Sequence, residues 1–143
     1  MGEPSTIAAR VYDAYGRGDL DACLGLFAPD CQVNFPGAPQ LVGPEQLRPF
    51  LQAQLTAFPN GHHKVRRMIE QGSVVAAELV FSGDQTGPYA TPAGAIPPSG
   101  RQVSFESVDI VEVSAGRIAS WRVYLDTAAM MAQLGASPAL ASA

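Results

Sequence analysis

Val103-Ser104-Phe105-Glu106-Ser107-Val108-Asp109-Ile110-Val111-Glu112-Val113, then Ala115-Gly116, then Ile118-Ala119-Ser120-Trp121-Arg122-Val123-Tyr124-Leu125, is the stretch that decides the fold. Both runs are rich in β-branched and aromatic residues and change polarity with period two, the mark of a strand with one buried face. The Ala-Gly dipeptide between them fits a tight hairpin. Working backwards, residues 63–69 and 74–82 show the same period and are joined at Gln71-Gly72. Four such strands predict a mainly antiparallel meander.

Alternation also sorts the polar residues. Val103, Phe105, Ser107, Asp109 and Val111 share one side, and Ser104, Glu106, Ile110 and Glu112 share the other. The first side is the more apolar, so Asp109 is expected to face the interior. Glu78 interrupts 74–82 in the same way, on the side of Ala76 and Val80. A carboxylate among apolar neighbours has a large desolvation cost unless it is paired, hydrated in a cavity or protonated. Residues 74–126 are therefore where chemistry is expected. Asp109, raised in pKa, would donate a proton to an enolate or carbonyl; otherwise it is a structural carboxylate held by an amide, a hydroxyl or an arginine. Glu78 is either its coupled partner or an outward residue paired with Arg67 or Arg122. Asp126 precedes a short helix predicted over 130–134 and suits its N-cap.

The first half of the chain has the helical period. Residues 6–17 put Ile7, Val11 and Tyr15 on one stripe, beside Ala8 and Tyr12, with Ser5 or Thr6 as cap. Asp19 caps a second helix carrying Leu20, Cys23, Leu24 and Phe27, which Pro29 is expected to stop. A short strand at 31–35 precedes a third helix, which starts at Gly43-Pro44-Glu45 and carries Leu47, Phe50, Leu51, Leu55 and Phe58. Pro49 predicts a kink or a delayed start, and Pro59-Asn60-Gly61 ends the helix. Helices followed by a meander are an α+β arrangement, the helices packed on one face of a curved sheet. Residues 83–100 read as a long Gly/Pro loop, either a lid closed by Tyr89 and Ile96 or an arm against a partner subunit.

Bulk properties narrow the function. The chain has 143 residues, 47% of them hydrophobic and only 15% charged, which predicts one domain over 1–143 with a frayed tail at 136–143. A net charge of −4 argues against nucleic acid or an anionic membrane as partner. No stretch approaches the roughly 20 apolar residues of a membrane span. The N-terminus lacks the pattern of a signal peptide. Cys23 and Cys31 match no zinc or redox spacing and read as reduced core thiols, which suggests the cytoplasm. His62 and His63 follow a turn, which favours placement at the surface, and lack a third metal ligand; of the two, His63 is the better pocket candidate. No metal or other cofactor is expected. A sparsely charged surface suggests self-association, and a homodimer is expected.

Tyr15-Gly16-Arg17-Gly18-Asp19-Leu20-Asp21, Leu26-Phe27-Ala28-Pro29-Asp30 and the ending Trp121-Arg122-Val123-Tyr124-Leu125-Asp126 resemble the nuclear transport factor 2-like superfamily. Thr86-Gly87-Pro88, Pro97-Pro98-Ser99-Gly100-Arg101 and Val108-Asp109-Ile110 resemble its SnoaL-like polyketide cyclase branch. The resemblance implies a cone-shaped α+β barrel around a deep apolar pocket, and dimers formed through the outer sheet face. Its ketosteroid isomerase pattern would place a base at Phe35 and a tyrosine near Val11, and only Asp109 matches. Its limonene epoxide hydrolase pattern falls on Glu78-Leu79-Val80 and Val123 and is broken. The cyclase pattern puts the acid/base on Asp126 and replaces a loop histidine by Gln85.

The expected function is cofactor-free acid/base chemistry on an apolar, ring-bearing or polyketide-like carbonyl compound, giving cyclisation or isomerisation. Asp126 or Asp109 would move the proton, with Gln85 and a tyrosine orienting the carbonyl. Tyr15, Phe35, His63, Glu78, Gln85, Tyr89, Trp121 and Val123 are the expected substrate contacts. The alternative is a non-catalytic small-molecule binding or dimerisation module on the same fold.

Overall fold

The computed structural model describes residues 2–91 and 93–136. Helices α1 (Glu3–Gly16), α2 (Leu20–Leu24) and α3 (Gly43–Ala57) lie against a six-stranded sheet made of β1 (Phe27–Asn34), β2 (Leu41–Val42), β3 (His62–Gln71), β4 (Val74–Asp84), β7 (Gln102–Ser114) and β8 (Arg117–Leu125). Its order is β2-β1-β8-β7-β4-β3. Every neighbouring pair is antiparallel except β1 and β8, which run parallel. A separate hairpin joins β5 (Tyr89–Thr91) to β6 (Gly94–Ile96), and α4 (Thr127–Gln133) packs beside β7. The expected α+β class with a curved sheet is what forms.

The meander alternates as its sequence dictates. Val75, Ala77 and Leu79 of β4 and Val103 and Val111 of β7 are fully buried, and they face the helices. Glu78, Glu106 and Glu112 point the other way, each at an intermediate or exposed position. Asp109 shares the buried face, opposite Ala77 on β4 and Val123 on β8.

Several boundaries depart from the sequence reading, each for a local reason. Helix α1 begins at Glu3 with Pro4 in its first turn, and neither Ser5 nor Thr6 caps it. Instead the Ser5 amide and hydroxyl both donate to Glu70 Oε1 of β3, at 2.9 and 2.7 Å. A first-turn donor left open by the helix is thus satisfied from the sheet. The second helix stops at Leu24, and Phe27 opens β1. Pro29 sits inside that strand, where pairing with β8 is interrupted between Phe27 and Gln32, so its missing N–H breaks no ladder bond. Helix α3 starts at Gly43 without delay and continues through Pro49 on its exposed side.

The predicted loop at 83–100 is largely structured. Strand β4 runs on to Asp84, and Tyr89 pairs opposite Ile96. Both residues are buried, Tyr89 against Phe58 with its hydroxyl 3.8 Å from Met130 Sδ. Gln85 fastens this arm. Its fully buried amide faces the carbonyls of Gly87, Ile96 and Pro97 at 3.0–3.2 Å, and its Oε1 accepts the Ser99 hydroxyl at 2.6 Å. Gly87 crosses the end of α3 so closely that a Cβ there would lie 2.0 Å from the Thr56 carbonyl oxygen. Backbone cannot yield as a side chain can, so Gly87→Ala is expected to cost on the order of 2 kcal/mol or more. Urea unfolding would measure it, and an unchanged midpoint would disprove the close approach.

Candidate active site

A cavity of about 110 Å3 lies between α1, α3 and the inner face of the sheet. For scale, a cavity of roughly 150 Å3 accepts benzene. Its mouth is set by half-exposed residues, Phe35, Phe50, Leu51 and Gln54 from the β1–α3 side and Phe105 and Leu125 from the sheet. Its floor holds the polar groups Tyr12, His63, Ser107 and Asp109, with Trp121 beside them. Among the described residues no lysine or arginine lines it.

Asp109 is 3% exposed. Its Oδ2 accepts a 2.7 Å hydrogen bond from the Tyr12 hydroxyl, and its Oδ1 is buried without a partner among the described residues. Burial pushes its pKa up from 3.8 to about 7, against the opposing pull of the Tyr12 hydroxyl and the Trp121 indole. The carboxyl therefore exchanges a proton near neutrality, which an ordinary aspartate does not. Tyr12 is held protonated, its pKa raised by burial and by Asp109, so it stays a donor. It reaches Asp109 from α1, across 97 positions of sequence.

His63 completes the floor. Its ring stands 5.2 Å from Tyr12, 5.5 Å from Tyr15 and 5.1 Å from Phe81. Burial, and secondarily His62, lowers its pKa from 6.5 to about 4, so it is neutral at pH 7. Its Nδ1 is buried without a partner among the described residues. A bulge explains its orientation. Val65 pairs with Leu79 but Arg67 with Glu78, leaving Arg66 as the extra residue. The bulge reverses parity along β3, so His63 and Met68 both face inward despite their odd spacing.

Of the residues expected from sequence, Asp109, Tyr15, Phe35, His63, Trp121 and Val123 line this cavity. Four do not. Glu78 points outward and pairs with Arg67 at 3.3 Å, as the opposite-face position requires. Gln85 is spent on the arm. Tyr89 packs behind α3 and does not reach the cavity wall. Asp126 is exposed and caps α4, its Oδ1 accepting from the Ala129 amide at 3.0 Å. Tyr12 was read from sequence only as a neighbour of the apolar stripe on the first helix, while the resemblance set the helix tyrosine near Val11. Gln54 and Cys23 on the wall had no signal beyond helix face. The Cys23 thiol is pushed up to about 11 by burial and is inert. Among the described residues no three His, Cys, Asp or Glu side chains are grouped to hold a metal.

The family model for SnoaL-like polyketide cyclases matches residues 6–134. The chain belongs to that family. Its structure is similar to a candidate SnoaL-like polyketide cyclase from Jannaschia sp. CCS1, with TM-score 0.84, 23% identity, and 95% of this chain and 94% of that one covered. It is also similar to IdmH, a candidate polyketide cyclase from Streptomyces antibioticus, with TM-score 0.76, 28% identity and coverage of 94% and 99%. AclR from Streptomyces galilaeus, a candidate hydroxylase, has the same fold at TM-score 0.79, 17% identity and coverage of 93% and 96%. No functionally curated protein matches significantly in sequence. Membership fixes the fold; the chemistry has to be argued from the site.

The two shifted groups on the floor act on stability in opposite senses. Between pH 4 and 7 folded Asp109 holds a proton that the unfolded chain releases, so its contribution falls as pH rises. Between pH 4 and 6.5 unfolded His63 holds a proton that the folded protein refuses, so its contribution rises. In wild type the two largely offset. Removing Asp109 as Asp109→Asn is expected to make stability relative to wild type rise by about 1.4 kcal/mol per pH unit between about pH 4 and 7. Denaturant unfolding across that range checks this, and a pH-independent difference would mean that Asp109 titrates normally.

Proposed function

We propose that this protein is an acid/base enzyme that moves a proton beside the carbonyl of a small, uncharged, ring-bearing or polyketide-like substrate, giving cyclisation or isomerisation. One observation carries the reading: Asp109 is buried on the floor of an apolar cavity, one oxygen held by Tyr12 and the other buried beside Trp121 without a hydrogen-bond partner among the described residues. Oδ1 takes the proton from carbon next to the carbonyl, and the C–H electron pair passes into an enolate. Neutral His63, with its proton on Nδ1, donates a hydrogen bond to the enolate oxygen. Attack of the enolate carbon on a second carbonyl closes a ring, and Asp109 returns the proton to the new alkoxide. Return of the proton to a different carbon gives an isomer. Tyr12 acts as a positioning residue, fixing the carboxyl so that Oδ1 faces the substrate. Membership of the cyclase family and the cyclase neighbours support the substrate class.

Asp109 and Asp126 separate cleanly by experiment. Asp109→Asn should lower turnover of a cyclisable ketone by about 10²–10⁴-fold, and the wild-type rate should rise with pH to a plateau above about 7. Asp126→Asn should leave turnover unaltered, because the residue lies outside the cavity. Turnover lost with Asp126 and kept without Asp109 would refute the assignment. Substrate binding without turnover in wild type would favour the binding-module reading.

We also propose that the outer sheet face pairs with a second copy. Ile69, Tyr124, Val108 and Val74 stand exposed there, Ile69 at 60% and Tyr124 at 52%, on a chain with few surface charges. Tyr124→Glu should shift the protein from dimer to monomer in size-exclusion chromatography with light scattering; a wild type already monomeric would end this proposal.

A further inference from the structure

The cavity has a property that carbonyl chemistry does not use. Of the chain's eleven Phe, Tyr and Trp residues, eight stand in its wall. Tyr12, Tyr15, Phe27, Phe81 and Trp121 are buried there, and Phe105 is at the mouth. Ring faces carry negative potential and attract a cation once water is removed. Asp109 Oδ1, a carboxyl oxygen left unpaired on the wall among the described residues, is on a residue 3% exposed.

The positive charge that such a wall would attract is not supplied by the protein. Among the described residues no arginine or lysine lines the cavity. Among the described residues the titratable groups that line the cavity with Asp109 are Tyr12 and Tyr15 from α1, Cys23 from α2 and His63 from β3; β4 and β8 present only apolar residues and Trp121. The tyrosines and the thiol stay protonated and neutral, and His63 is neutral at pH 7. Aromatic rings around a lone carboxylate, with no resident cation, are an unfilled ammonium site.

We propose that the cavity also binds a small tertiary ammonium ion, its single N–H donating to Asp109 Oδ1 and its alkyl groups lying against the aromatic rings. This goes beyond the proton-transfer reading and does not depend on turnover. At about 110 Å3 the space suits a ligand near the size of one five- or six-membered ring. An amine acting as a competitive blocker would exploit it.

Trp121 is the chain's only tryptophan and touches both Tyr12 and Phe27, at ring separations of 5.4 and 5.8 Å, so its fluorescence reports the cavity. The test titrates wild type with N-methylpyrrolidine, which is protonated at neutral pH, and with 2-methyltetrahydrofuran, a neutral ring of the same size. The ammonium should bind about tenfold or more tightly at pH 8. Its affinity should fall about tenfold per unit below pH 7, as Asp109 takes up its proton, while the ether's affinity holds or rises. Asp109→Asn should remove the ammonium preference and its pH dependence but keep ether binding, which shows that the cavity remains folded. N,N-dimethylpyrrolidinium, which has no N–H, should bind more weakly than its protonated analogue. Equal or tighter binding of the ether at pH 8, or an ammonium affinity indifferent to Asp109→Asn, would overturn the proposal. Carbonyl turnover without ammonium binding removes this inference alone, and ammonium binding without turnover removes the proton-transfer reading alone.

Discussion

Everything about the site depends on the 2.7 Å hydrogen bond between the Tyr12 hydroxyl and Asp109 Oδ2. Strand β7 lies inside the sheet and must turn one face to the helices; Asp109 falls on that face, so the fold has to bury a carboxyl. A single charge-assisted bond offsets only part of the desolvation, about 1.5–3 kcal/mol of it. The remainder appears as a carboxyl that ionises late, near pH 7. One side chain from α1 thereby locks the helix over the sheet and leaves the second oxygen available. The packing that shapes the cavity and the chemistry it offers have a common origin.

Two irregularities serve that arrangement. The Arg66 bulge on β3 turns His63 inward without disturbing the apolar residues farther along the strand. The interruption in β1 lets Phe27 reach the cavity wall and tilt against Trp121 while Val33 remains in register with it. The floor is assembled from α1, β3, β7 and β8, so its polar groups are held by regular elements and not by loops. The long arm, by contrast, holds no residue of the cavity wall.

The fold was legible in the sequence because it rests on alternation and period, which short windows carry. Val75 to Phe81 and Val103 to Val113 announced their faces, and Asp109 with them. The site was legible where a residue's own element sufficed, as for Tyr15 on its helix stripe and Trp121 and Val123 on their strand. Tyr12 acquires its role from a partner 97 residues away, and no local pattern encodes that pairing. His63 was named as a pocket contact without the reason for it, which the bulge supplies, since a one-residue insertion inverts every face read across it. Asp126 and Gln85 misled for the reverse reason: both have strong local hydrogen-bonding duties, a helix cap and an arm clasp, that compete with a catalytic role.

The clasp at Gln85 has a consequence for how such a chain can vary. Both legs of the β5–β6 arm are gathered onto one buried amide, through the Gly87, Ile96 and Pro97 carbonyls and the Ser99 hydroxyl. What lies beyond the fastening is a closed loop whose ends are already joined. Lengthening it at the Thr91–Gly94 tip adds only a closure entropy that grows with the logarithm of length. The tip is thus a place where the chain can acquire new residues while the polar floor of the cavity keeps its geometry.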